Sequence, residues 1–138
     1  MAGSSAPSCN GRMNRDATVS IIGVVDDDES VRDALGSLLR SAGYKCEVFP
    51  SAEAFLESGR LTATDCVVLD VQMPGLSGLE LHLRLREMRC SVPVIFVTGH
   101  NDEELRARAL KQGATALLGK PFSDEALFGA IQSALEQK

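Results

Sequence analysis

The chain has 138 residues, enough for one domain around a single core and too few for two ordinary ones. Net charge −5 and a pI near 5.0 argue against a direct nucleic-acid surface, because phosphate backbones reward clustered Lys and Arg. The hydrophobic fraction is 44%, mean hydropathy is +0.01, and no apolar run approaches the roughly 18 residues that cross a bilayer, so no membrane contact is expected.

Residues 1–18 come first. Met1 to Asp16 are rich in Ser, Gly, Asn and Ala, without the apolar stretch of a secretory signal, and are read as a mobile tail; residues 19–138 then form the domain. Five short apolar segments follow, Ile21–Val25, Lys45–Phe49, Cys66–Leu69, Val94–Thr98 and Thr115–Leu118, spaced too widely for hairpins. Between the first two, Val31, Leu35, Leu38, Leu39 and Ala42 recur at helical period, and Gly43 stands where a left-handed residue closes a helix.

A short helix is expected over Ser51–Ser58, with Ala54 and Phe55 apolar. A third runs from about Ser77 to Met88 with Leu79, Leu83 and Leu76 on its inner stripe, and a fourth from about Asp102 to Gln112. The last begins after Pro121 with Ser123 as N-cap and buries Leu127, Ile131, Ala134 and Leu135. Strands alternating with helices predict an α/β fold, a doubly wound five-stranded parallel sheet with helices on both faces.

Cys9, Cys46, Cys66 and Cys90 are widely spaced and form no C-x-x-C pair, and neither His82 nor His100 stands at zinc-ligand spacing from them. They read as small hydrophobes in a reducing cytoplasm.

In an open parallel sheet, ligands bind beyond the carboxyl ends of the strands, so the residues at each strand's exit carry the information. Here the first strand releases Asp26, Asp27, Asp28 and Glu29; the third ends in Asp70; the fourth ends in Thr98; the fifth leads into Lys120-Pro121. Each acid taken alone is an ordinary cap or loop residue. Together they place several carboxylates, a hydroxyl and an ammonium at one edge.

Two carboxylates about 4 Å apart repel by roughly 4 kcal/mol at an effective dielectric of about 20, so such a cluster calls for a cation. A hard divalent ion, Mg²⁺ or alternatively Mn²⁺, suits oxygen donors. Asp26 and Asp27 are its candidate ligands, Asp70 shares it, and the backbone carbonyl of Gln72 completes the set. Asp70 is also the candidate nucleophile for an acyl phosphate. Lys120 would meet one phosphoryl oxygen and Thr98 would donate its hydroxyl to another. Met73-Pro74-Gly75-Leu76-Ser77-Gly78 predicts a rigid turn, with Pro fixing φ and the glycines permitting positive φ. A cis Lys120-Pro121 bond would aim the lysine into the pocket; the sequence leaves the isomer open.

The segments VVDDDESVRDAL, VVLDVQMPGLSGLEL, PVIFVTGH and GKPF resemble, in order and spacing, the receiver domains of two-component response regulators, in particular the FixJ-like branch, over about Val19 to Leu135. The resemblance implies strand order 2-1-3-4-5, Mg²⁺ dependence, and a phosphohistidine on a sensor histidine kinase or histidine phosphotransfer protein as donor. It assigns the acid pair to Asp26 and Asp27, the phosphoacceptor to Asp70, the switch hydroxyl to Thr98 and the lysine to Lys120. It further implies output through the face of the fourth helix, fifth strand and fifth helix, towards a downstream protein or a further output domain, and is compatible with dimerisation on phosphorylation. Leu117 stands where receivers usually carry an aromatic switch residue, which departs from the usual readout. Gln72 and His100 flank the pocket and are expected to tune the phosphoryl lifetime.

An aspartyl phosphatase would want a second acid at position 72, which is Gln72, and a flavodoxin-type binder would not place four acids against a phosphate. A pseudo-receiver acting by contact alone keeps the fold but has no use for the full pocket. Both a stand-alone regulator and a receiver cut from a longer DNA-binding one remain open at this point.

Overall fold

In the computed structural model, residues 19–73, 75–99 and 103–136 are described. Five strands and five helices alternate along them: β1 Ile21–Val25, α1 Glu29–Ser41, β2 Lys45–Phe49, α2 Ala52–Glu57, β3 Cys66–Asp70, α3 Gly78–Glu87, β4 Val94–Thr98, α4 Glu103–Lys111, β5 Ala116–Gly119 and α5 Asp124–Glu136. The expected tail over 1–18 lies outside the described residues.

All four strand pairings are parallel, in the order β2-β1-β3-β4-β5. Both β3 and β4 are buried at every position, which is why they read as unbroken apolar runs rather than alternating ones. Alternation along the strands divides the core in two. Ile22, Val24, Cys66, Val68, Ile95 and Val97 pack with Leu35 and Leu39 of α1 and Leu127, Ile131 and Ala134 of α5. Val25, Val67, Leu69, Phe96 and Leu117 pack with Ala52 and Phe55 of α2, Leu79, Leu81 and Leu85 of α3, and Ala109 of α4.

Helix ends follow the local chemistry. Asp28 Oδ1 accepts from Ser30 N at 2.9 Å, Ser51 Oγ from Ala54 N at 3.0 Å, and Ser123 Oγ from Ala126 N at 3.0 Å. Ser77 and Glu80 form a reciprocal capping box at the start of α3.

The inner stripe of α3 differs from the expected one. Gly78, Leu81, His82 and Leu85 face inward together with Leu79, whereas Leu83 is 45% exposed. At about 100° per residue Leu83 falls about 140° round from Gly78, so it cannot share the side occupied by Leu81 and Leu85. The alternating leucines 79, 81, 83 and 85 concealed which of them the sheet would take. Ala42 is exposed as the C-cap of α1 rather than buried on its stripe, β3 extends one residue further to include Asp70, and β5 lies one residue later.

Candidate functional site at the carboxyl edge of the sheet

Each strand delivers one part of the site as it leaves the sheet. β1 ends at Val25, and the next residue, Asp26, is only 1% exposed; its backbone N–H donates to Phe49 O of β2 at 3.2 Å. Asp26 Oδ1 accepts from Asp28 N at 2.9 Å, and its carbonyl accepts from Arg32 Nη1 at 2.8 Å. Asp27, exposed, stands at the mouth. Asp70 closes β3 with 6% exposure, and its Oδ1 accepts from Gln72 N at 3.1 Å.

A carboxylate oxygen from each of Asp26, Asp27 and Asp70 lies within 4.8 Å of the others. Lys120 Nζ reaches them from beyond β5, 3.4 Å from Asp26 Oδ2 and 3.9 Å from Asp70 Oδ2. The Lys120-Pro121 bond is cis, the isomer that the sequence left open. Thr98 is fully buried at the end of β4, paired in register with Gly119, and its carbonyl accepts from Lys120 N at 2.7 Å. The hydroxyl residue and the lysine are therefore tied by the sheet itself.

Burial pushes the Asp70 carboxyl up to about 6, and the nearby Asp26 charge adds to the rise; the Gln72 N–H and Lys120 offset part of it. One ammonium does not balance three acids. Three oxygen donors at this spacing, with a lysine too weak to neutralise them, fit a hard divalent cation shared with water and phosphate oxygens.

Gln72 is exposed just after the strand, and Leu117 is buried in register with Phe96, in the same apolar cluster as Ala109 of α4. His100, expected to flank the pocket, lies outside the described residues.

Three contributors escaped the sequence. Gly78 was expected to serve through positive φ, yet only Gly75 in that turn has it, at 77°. Gly78 is needed for space: a Cβ there would lie 2.3 Å from the Asp70 carbonyl oxygen. Its N–H donates to Val71 O at 3.1 Å, pinning α3 against the strand end. Glu53 of α2 is the second, accepting from Leu76 N at 3.1 Å and so tethering the same loop. Its bonds from its own backbone N–H and from Leu76 hold its pKa below the usual carboxylate value. Arg32 is the third. Its place six residues after Asp26, in the second turn of α1, was the available signal, whereas nothing local links Glu53 to residue 76.

The fold and pocket define a phosphoacceptor signalling domain, and comparison with known proteins agrees. The model of the response regulator receiver domain matches residues 22–132, and the chain belongs to that family. It is 43% identical over 126 residues to the response regulator protein TmoT of Ectopseudomonas mendocina, covering 91% of this chain and 57% of that protein. Against the transcriptional regulatory protein FixJ of Bradyrhizobium diazoefficiens it is 44% identical over 114 residues, 83% of this chain and 56% of the other. The solved N-terminal part of FixJ superimposes with a TM-score of 0.79 at 35% identity, covering 86% of this chain and 95% of that one. The chain spans a little over half the length of these curated relatives.

Proposed function

We propose that Asp70 receives a phosphoryl group from a phosphohistidine of a sensor histidine kinase or a histidine phosphotransfer protein. The observation that carries this reading is the Asp70 carboxylate at the exit of β3, ringed by Asp26, Asp27 and the Lys120 ammonium. A carboxylate oxygen of Asp70 attacks phosphorus, a new O–P bond forms, and the P–N bond to the donor imidazole breaks. Its electron pair stays on the ring nitrogen, which takes up a proton.

Asp26, Asp27, Asp70 and the Gln72 carbonyl would hold Mg²⁺, or Mn²⁺ in its place, which when bound neutralises charge on the phosphoryl oxygens. Lys120 supplies a second positive charge to one of those oxygens, and the Thr98 hydroxyl donates to another once the group has arrived. Gln72 and His100 govern the access of water and hence the lifetime of the acyl phosphate.

The phosphorylated state is read on the face of α4, β5 and α5, by a downstream protein or an output domain of a longer chain, with pairing of two copies as one form of readout. Leu117 repacks there without an aromatic ring to expose. The setting is cytoplasmic, and residues 19–138 act as the receiver unit.

Incubation with acetyl phosphate and Mg²⁺, followed by intact mass, tests the reaction. The wild type should gain the mass of one phosphoryl group and Asp70→Asn none; no gain in the wild type, or a gain retained in Asp70→Asn, overturns it. Amide shifts over 103–128 that stay unchanged on adding beryllofluoride and Mg²⁺ would remove the proposed output face.

A further inference from the structure

At the opposite edge of the sheet, a cleft of about 320 Å³ lies between the end of α3, the chain entering β4, and the turn that leads from α4 into β5. That volume is at the lower end of small-molecule sites. Arg86, Arg89 and His82 line it together with the hydroxyl residues Ser91 and Thr115, and among the described residues no carboxylate does. Neither arginine forms an ion pair among the described residues. In a chain of net charge −5, this is a concentration of positive charge with no counter-charge among the described lining residues.

The cleft is held in shape. Arg86 Nη1 donates to the Gln112 carbonyl oxygen, joining α3 to the end of α4. The Gln112 side-chain amide lies 3.2 Å from His82 Nδ1, joining the end of α4 to α3 a second time. His82 is 5% exposed and packs edge-on to Phe96, with ring centroids 5.4 Å apart.

The backbone adds an independent observation. α1, α2, α3 and α4 are each followed by a residue in the left-handed region, Gly43 at φ 96°, Gly59 at φ 73°, Arg89 at φ 61° and Gly113 at φ 99°. Arg89 N donates to Arg86 O at 3.0 Å and Cys90 N to Leu85 O at 2.8 Å, the bonding that closes a helix through such a residue. Glycine serves this closure without steric penalty and a residue with Cβ resists it. The chain uses glycine at three of the four ends and arginine at the fourth, and the ends at Arg89 and Gly113 both line the cleft.

We propose that this cleft binds a small dianion carrying carboxylate or phosphate oxygens, engaged by the Arg89 and Arg86 guanidinium groups and by the Ser91 hydroxyl. A guanidinium presents paired N–H donors that match either oxyanion. The buried His82 imidazole forms part of the wall.

Titration of the full ¹⁵N-labelled chain without divalent cation, at constant ionic strength, tests the site with succinate in one arm and inorganic phosphate in the other. Saturable amide shifts at Arg89, Ser91, Gly113 and Thr115, without shifts at Asp26 or Asp70, support it; saturation in only one arm identifies which oxyanion class the site takes. Arg89→Gly removes the charge while easing the helix closure, so it should fold and bind about tenfold or more weakly. Non-saturating shifts in both arms that match a chloride control, or unchanged affinity in Arg89→Gly, overturn the proposal.

Discussion

The two edges of the sheet carry opposite charge and hold it by different means. At the carboxyl edge, acids converge from β1 and β3 into a half-buried pocket where one lysine stands against three carboxylates. At the amino edge, two arginines and a histidine border an open cleft, where Arg86 engages a backbone carbonyl and His82 an amide side chain. Tension at the first edge is electrostatic, expressed in the raised Asp70 pKa, while tension at the second lies in the backbone, at the positive φ of Arg89. A parallel sheet allows this division because every strand leaves by the same edge and enters by the other.

The sharpest way to break the comparison is Asp70→Asn, which should abolish phosphorylation by acetyl phosphate and yet stabilise the cation-free fold. The sign follows from linkage. An acid whose pKa rises from 3.8 unfolded to about 6 folded binds its proton more tightly in the native state. Stability therefore falls as pH rises from about 4 to about 6 and stays reduced above, by about 3 kcal/mol at roughly 1.4 kcal/mol per pH unit. Urea midpoints of wild type and Asp70→Asn should coincide near pH 4 and separate in favour of the variant by pH 7. Equal midpoints at pH 7 would mean that the carboxyl edge stores no such tension.

Gly78→Ala comes next. Its Cβ would meet the Asp70 carbonyl at 2.3 Å, a backbone atom with little room to yield. A loss of about 1–3 kcal/mol in denaturant unfolding is expected, with slower phosphorylation as Asp70 shifts. Mg²⁺ should act in the opposite direction. At a concentration 100 times its dissociation constant it stabilises the fold by about 2.7 kcal/mol, and melting curves should show this gain fading as pH falls through 6 and Asp70 takes up its proton. A gain that persists undiminished at pH 4.5 would place the cation away from Asp70.

The smallest expected effect sharpens the other side of the comparison. Arg89→Gly should raise stability by about 0.5–1 kcal/mol in urea unfolding, since the left-handed position then costs less. It should leave phosphorylation of Asp70 unchanged. A destabilised Arg89→Gly would show that the arginine is held there by its contacts and not by strain.

Much of this is legible in the sequence. Apolar runs fully buried in β3 and β4, the cap at Ser123, and the acids at strand exits are local signals, because hydrogen-bonding type and hydrophobic period act within a few residues. Asp26, Asp70, Thr98 and Lys120 could be named from the positions at which strands end. The facing of α3 was misread because leucines at alternate positions satisfy two helical stripes, and only the sheet decides between them. Gly78 was assigned the wrong reason, since a demand for empty space depends on what packs opposite, here a carbonyl eight residues earlier in the chain.

The sequence by itself thus determined the βα alternation, the parallel sheet and the identity of the groups at its carboxyl edge, all of which follow from periodicity and from residue types at strand ends. Tertiary structure alone decided the distances that make those groups one site, such as Lys120 Nζ at 3.4 Å from Asp26 across 94 residues. It also decided the tether from Glu53 to the acceptor loop and the gathering of Arg86, Arg89 and His82 into a cleft. Short-range chemistry fixes what each segment offers, and long-range packing fixes which offers meet.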